Sequence, residues 1–166
     1  MAAPFQSGPQ AVPLIYRLFF LYIEPLASLV GAYYAFFQPQ EYLRLTDPSS
    51  SPILSIPLST SIILKQLSNL YFLFAFNEAL VLRATSDLSV WRTLLLGLLL
   101  ADVGHLYSVH GLGSAIYWDL FRWNAIDWGN VAFVYAGASM RICFLTGLGM
   151  SNKGAQRGGK RRVNQR

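Results

Sequence analysis

The chain has 166 residues, of which 54% are hydrophobic and only 13% are charged, and its mean hydropathy is +0.38. Soluble domains carry about a quarter charged residues, so this composition indicates an integral membrane protein built as one bundle. Much of the net charge of +5 belongs to the C-terminal tail, which argues against a nucleic-acid-binding face. The single cysteine, Cys143, excludes an intrachain disulfide.

Apolar segments in chain order predict four transmembrane helices, each close to the roughly 20 residues that cross a bilayer. The first helix should be kinked at Glu24-Pro25, because proline removes a helical hydrogen bond. We therefore expect an all-α integral membrane four-helix bundle over residues 13–148, after an N-terminal segment (1–12) and before a basic disordered cytosolic tail (149–166). The helices are expected at 13–37, 59–83, 90–109 and 125–148, with a proline-rich polar loop at 38–58.

The positive-inside rule predicts the orientation of this bundle. The basic tail should lie on the same side as the loop 84–89, which is flanked by Arg83 and Arg92. We expect both termini in the cytosol, and the loops 38–58 and 110–124 in the lumen or outside. A multi-pass protein of the endoplasmic reticulum is the default expectation for this class. The aromatic stretch that begins at Ser114 predicts a short interfacial helix, because Trp and Tyr favour the headgroup level.

Charged residues inside the apolar segments predict two polar layers. Glu78 and Arg141 should lie within about 10 Å of the cytosolic helix ends, whereas Glu24 and Asp102 should lie about 16–18 Å along their helices, near the midplane. Each central charge costs about 2.5–3.5 kcal/mol, so we predict that Glu78 pairs with Arg141 as a clamp between helices. Asn77 could add an interhelical hydrogen bond.

The middle layer of Glu24, Asp102 and His105 offers two carboxyl groups and an imidazole but no strong base. Two adjacent carboxylates cannot both ionise cheaply. A neutral carboxylic acid in a dry pocket can donate a proton, while an ionised one can stabilise a cation or take the proton back. Glu24, Asp102, His105 and Glu78 are therefore the candidate catalytic residues. The alternative for His105 is a structural partner of a buried acid, since it shares a helix face with Asp102.

Further polar and aromatic side chains are candidates for contact with a ligand. The fourth helix has a polar stripe that includes Asn130 and Arg141, and Trp128 lies near its start. Aromatic faces can stabilise a carbocation, although aromatic packing between helices is more common. Asp127 is better explained as a helix cap. The candidate substrate-binding residues are Asn77, Tyr22, Tyr71, Asn130, Arg141 and Trp128, and no metal site is expected.

The motifs FNEAL (76–80) and DVGHLYSVH (102–110), together with the overall length, resemble the EXPERA superfamily, which includes the emopamil-binding-protein sterol isomerases and the sigma-2 receptor. The resemblance covers residues 13–148. Glu24-Pro25 also resembles an early motif of small fungal membrane proteins, and membrane-embedded terpene cyclases are a looser analogue. The resemblance implies an intramembrane, acid-lined cavity for a lipophilic ligand, with Glu24, Glu78, Asp102 and His105 at comparable locations. The chain lacks the fifth span of the sterol isomerases.

Three functions remain open at this point. The first is a cofactor-independent isomerase or terpene cyclase that acts on a sterol-like or terpenoid substrate by acid–base proton transfer. The second is a bundle that binds a lipid or sterol, or acts as a chaperone for a membrane protein. The third is a purely structural bundle. The expected partners are a lipophilic small molecule and membrane lipid, with no nucleic acid and with room for an oligomer.

Overall fold

A computed structural model describes residues 12–49 and 55–150. The described residues are all-helical, with no strand among them. Nearly all of the expected disordered tail and of the N-terminal segment lies outside the described residues. The helices are α1 (Leu14–Phe37), α2 (Pro39–Thr46), α3 (Leu58–Phe76, continued by a π-helical turn at Asn77–Val81), α4 (Leu88–Ser108) and α5 (Ala125–Asp127, a π-helical turn at Trp128–Phe133, and Val134–Leu145).

The helix α2 corrects the prediction of a polar loop over residues 38–58. Pro39 stands in the first helical turn, where a proline costs no hydrogen bond. Arg44 binds Glu41 through a hydrogen bond of 2.6 Å, and Tyr42 is buried against neighbouring helices. The prolines therefore begin and end a short amphipathic helix rather than preventing one. Where a short interfacial helix was predicted, the chain forms a 3₁₀ helix at Ser114–Tyr117, which follows another at His110–Leu112.

Each of three helices contains one π-helical turn. The turn Phe19–Ile23 comes directly before Glu24-Pro25, where the proline has no N–H to continue the regular ladder. The turn Asn77–Val81 ends α3, and the turn Trp128–Phe133 lies in the first half of α5. Such turns often mark functional sites, because they rotate the side chains that follow them.

The four long helices pack antiparallel to their neighbours. Along α1 and α3, the Ser68 hydroxyl donates to the Ala32 carbonyl at 2.8 Å, and Arg83 donates to the Leu21 carbonyl at 3.3 Å. The helix α4 begins at a cap in which Asp87 accepts a hydrogen bond from the Ser89 N–H at 2.8 Å, and this bond holds the pKa of Asp87 below its ordinary value. It then packs along the last part of α5.

The main hydrophobic core closes one end of the bundle. Its members come from the start of α1, the first half of α4 as far as its middle, and the last turns of α3 and α5. The Phe144 ring packs edge-on against the Tyr16 ring, with 5.2 Å between ring centres, and stacks with the Trp91 ring, with 5.7 Å between ring centres. The buried residues of this core are Tyr16, Phe20, Leu21, Leu82, Trp91, Leu95, Leu98 and Phe144.

Two of the described helical stretches, Leu14–Phe37 and Leu88–Leu112, are long and apolar enough to cross a membrane. The outer face of α1 is lined with exposed large apolar side chains. Leu26 and Phe37, for example, are each 64% exposed. A soluble monomer rarely exposes such a continuous apolar surface.

Candidate acid–base site

Three carboxyl groups from three helices meet one guanidinium. Arg141 on α5 donates through Nη1 to Asp102 Oδ2 on α4 at 2.6 Å. Its Nη2 donates to Glu24 Oε1 on α1 and, at 3.3 Å, to Glu78 Oε1 on α3. These four residues, called the acid cluster below, thus join all four long helices. Arg141 is 3% exposed and Glu78 only 1%, so the contacts form away from bulk water.

The acid cluster has more acid than base. One guanidinium neutralises one carboxylate, and three carboxyl groups surround it. Glu24 and Glu78 also share the same Nη2 atom, so their carboxyl groups lie against each other. Within the described part of the chain, Glu24 Oε2 and Glu78 Oε2 are buried and have no hydrogen-bond partner. Since two uncompensated buried charges are costly, the cluster is suited to retaining protons or to accepting a cation.

A glycine on α5 makes room for the guanidinium. Gly137 lies one turn before Arg141, and a Cβ atom built there would stand 2.7 Å from Arg141 Nη1 and 3.2 Å from Glu24 Oε1. Arg141 therefore folds back along its own helix, over a position where only hydrogen leaves enough space. This close approach brings its two amino groups to carboxyl groups on opposite sides.

His105 lies on the same face of α4 as Asp102, one turn further on. Its ring faces the backbone of Asn130 on α5. In the described part of the chain, the buried Nε2 atom of His105 has no partner. His105 is therefore held by α5 rather than by a carboxyl group.

A cavity of about 780 Å³ opens beside the acid cluster. Its walls come from all four long helices and from α2. Leu67, Leu70 and Phe74 on α3 supply much of the apolar lining, and Phe133 and Val134 on α5 face them. The volume falls in the range of cavities that hold small molecules, and a mostly apolar wall with a few polar groups favours a lipophilic ligand.

Residues 9–151 match a family described as a domain of unknown function, DUF7704. The chain belongs to this family. No curated protein and no solved structure matches the chain. The DUF7704 domain includes every residue of the acid cluster and the whole lining of the cavity.

The DUF7704 domain brings together most of the residues singled out from the sequence. The predicted catalytic residues all line the cavity, as do four of the predicted substrate-binding residues. Tyr22 and Asn77 are not among the lining residues: Tyr22 is 52% exposed and carries the Arg83 guanidinium 4.8 Å from its ring centre. The predicted residues that line the cavity are Glu24, Asp102, His105, Glu78, Tyr71, Asn130, Arg141 and Trp128.

The expectation of two separate polar layers is wrong, because Arg141 belongs to both. Depth along a straight helix placed Arg141 beside Glu78 and away from Glu24 and Asp102. The guanidinium instead reaches all three carboxyl groups, since the side chain is long and lies along α5 toward its N-terminal turns. The proposed clamp between Glu78 and Arg141 is present, but as the longest of three contacts.

Two residues of the site, Tyr42 and Gly31, were not predicted from the sequence. Tyr42 was assigned to a loop, yet it is buried in α2 with its hydroxyl 3.3 Å from the Tyr71 hydroxyl. Gly31 approaches the Tyr71 ring so closely that an added Cβ would stand 3.3 Å from it. The sequence did offer one signal for Gly31: it lies seven residues from Glu24, so both residues are on one face of α1. No group of His, Cys, Asp and Glu among the described residues is arranged to hold a metal ion.

Proposed function

We propose that this protein is a membrane-embedded, cofactor-independent isomerase or cyclase that moves a proton on a sterol-like or terpenoid substrate. One observation carries the proposal: three carboxyl groups surround a single guanidinium at the wall of an apolar cavity of about 780 Å³. The resemblance of the motifs FNEAL (76–80) and DVGHLYSVH (102–110) to the EXPERA superfamily also supports it.

The membrane setting is part of the proposal. Two helical stretches of membrane-spanning length and the exposed apolar face of α1 support it. In this proposal α3 and α5 also cross the membrane; their packing against the two membrane-length helices supports it. Basic residues near one end favour cytosolic termini, and the endoplasmic reticulum is the proposed location.

The proton transfer follows from the composition of the acid cluster. A carboxylic acid of the cluster gives its proton to a carbon–carbon double bond of the substrate, which becomes a carbocation. The remaining carboxylate and the aromatic walls stabilise the cation. The carboxylate then removes a proton from a neighbouring carbon, and a new double bond forms. One proton enters and one leaves, so the product has the mass of the substrate; in a cyclase, the cation first closes a ring.

Glu24 and Glu78 are the stronger candidates for the proton donor. Each keeps one buried oxygen that makes no hydrogen bond among the described residues, whereas neither oxygen of Asp102 is in that situation. Asp102 and Arg141 then form the ion pair that remains charged. His105 also lines the cavity, and its buried Nε2 atom has no partner among the described residues, so we assign it to a polar group of the substrate.

The test is turnover by the full chain in membranes supplied with sterol and terpenoid alkenes. We expect a product of unchanged mass and altered chromatographic retention. Glu24→Gln and Glu78→Gln should each lower its rate at least 100-fold, because acid–base assistance contributes about 10²–10⁴ in rate. Glu41→Gln is the matched control, since Glu41 is an exposed partner of Arg44 on α2. Absence of any product with all substrates, or equal rates in the cluster variants and the control, would refute an enzymatic role.

The alternative is a protein that binds a lipid or sterol without changing it. The contacts of Arg141 favour this reading, since one basic side chain already occupies an oxygen of each carboxyl group. In that case, the cluster variants would weaken retention of the ligand, and no isomer would form.

A further inference from the structure

The cavity has a second polar wall, formed by two tyrosines far from the acid cluster. Tyr42 on α2 and Tyr71 on α3 place their hydroxyl oxygens 3.3 Å apart. Both residues line the cavity, and Tyr42 is only 8% exposed. We call these two residues the tyrosine pair.

Helical spacing separates the tyrosine pair from the acid cluster. Tyr71 and Glu78 are seven residues apart on α3, which is about two turns or 10 Å of rise on the same face. On α1, Gly31 touches the Tyr71 ring and Glu24 belongs to the acid cluster, again seven residues apart. The spacings on α1 and on α3 therefore give the same separation, about 10 Å, between the tyrosine pair and the acid cluster.

The tyrosine pair has hydrogen-bonding capacity left over. Each hydroxyl has one hydrogen to donate and two lone pairs to accept. A single bond between Tyr42 and Tyr71 uses one hydrogen, so the second hydroxyl hydrogen remains for another acceptor. Within the described residues, the only side-chain hydrogen bond found for either hydroxyl is the one that joins them. Between the tyrosine pair and the acid cluster, the cavity wall on α3 is apolar at Phe74.

Resting on the proposed function, we infer that the tyrosine pair is a subsite for an oxygen atom of the ligand. The ligand class is an elongated lipophilic molecule with a hydroxyl or carbonyl group at one end. Its oxygen binds the tyrosine pair, and a part of its carbon skeleton about 10 Å away lies against the acid cluster. The subsite fixes which carbon faces the carboxyl groups, so it determines which double bond reacts.

The test measures retention of cholesterol against cholest-5-ene, which differs by the absence of the hydroxyl, in phosphatidylcholine nanodiscs that contain the full chain. One hydrogen bond to a buried partner contributes about 0.5–1.5 kcal/mol, so wild type should prefer cholesterol by about 2- to 10-fold. Tyr42→Phe combined with Tyr71→Phe should remove that preference, so that the two lipids are retained equally. Tyr33→Phe is the control, because Tyr33 is 51% exposed on the outer face of α1.

The wild-type comparison keeps the inference open to refutation even if the double variant fails to fold. Equal retention of the two lipids by wild type, or retention of neither, overturns the inference. The inference is also overturned if the folded double variant still prefers cholesterol. That result would mean that the cholesterol hydroxyl binds the acid cluster instead. The proposed function is tested by a separate measurement. If no isomerised product forms, the ratio of cholesterol to cholest-5-ene retention can still be measured; if that ratio is one, turnover can still be measured.

Discussion

Arg141 Nη1 lies 2.6 Å from Asp102 Oδ2, and this contact joins α5 to α4 in the centre of the bundle. The same guanidinium binds Glu24 and Glu78 on the other two long helices. One side chain thus holds the four helices together at the level where the cavity begins. Stability and the proposed chemistry therefore depend on the same residue.

Replacement of Arg141 by leucine should destabilise the bundle strongly. It leaves three buried carboxyl groups without their shared cation, and breaking a buried ion pair typically costs about 3–5 kcal/mol. Thermal unfolding in a mild detergent measures the effect. Arg44→Leu is the control, because the Arg44 side chain is 65% exposed and its pair with Glu41 should contribute nothing measurable. Equal melting temperatures for the two variants would contradict the central role of Arg141.

A methyl group at Gly137 should disturb the acid cluster. The new Cβ would stand 2.7 Å from Arg141 Nη1, so the guanidinium must shift and lengthen its bond to Asp102. We expect a lower melting temperature for Gly137→Ala. Gly97→Ala on α4 should keep or raise it, because nothing lies within 4 Å of that position and alanine favours a helix over glycine by about 1 kcal/mol. A stabilised Gly137→Ala would show that the guanidinium lies elsewhere.

Phe144 should contribute more to stability than any exposed aromatic residue. Its ring is fully buried between Tyr16 and Trp91 at the closed end of the bundle. Phe144→Ala should cost about 3–5 kcal/mol in the free energy of unfolding, through lost burial and a new void. Phe121→Ala should leave unfolding unchanged, because Phe121 is fully exposed. Denaturation followed by circular dichroism compares the two, and similar losses would argue against this core.

A hydrogen bond between α1 and α3 should have a small, measurable effect. The Ser68 hydroxyl donates to the Ala32 carbonyl at 2.8 Å in a buried contact. Interhelical bonds of this kind contribute about 0.6 kcal/mol on average, so Ser68→Ala should lower stability slightly. Ser108→Ala removes only a local bond to the His105 carbonyl on the same helix and should be neutral. A loss above about 2 kcal/mol would exceed the range for such bonds and point to a role beyond this contact.

The sequence predicted the long helices well because their signal is strong. Long apolar runs ended by Gln38-Pro39 or by the polar residues after Arg83 leave few alternatives to helix. The short helix α2 was missed, since its prolines resemble loop residues and its packing partners lie far along the chain or before it, on α5 and α1. Because residues 38–58 were predicted to be a loop, Tyr42 was not singled out, and half of the tyrosine pair could not be expected.

The acid cluster was predicted in its members but not in its arrangement. A charge in an apolar helix needs a partner. Glu24, Glu78 and Arg141 are indeed buried, and the Asp102 side chain is 12% exposed. Which partner each one takes depends on the path of the Arg141 side chain over Gly137, which helical rise does not describe. The π-helical turn before Glu24 also changes the side-chain directions that a regular helix would give.

The most direct test of the account is whether the cavity holds a lipophilic molecule. The full chain is purified in a mild detergent, and the apolar compounds bound to it are extracted and identified by mass spectrometry. We predict that wild type and Leu100→Phe retain the same compound, because Leu100 is 67% exposed on the outside of α4. Ala101→Phe should lose it, because Ala101 lines the cavity and the new ring would occupy part of the space. An empty wild-type protein, or equal retention by Ala101→Phe, would contradict the account.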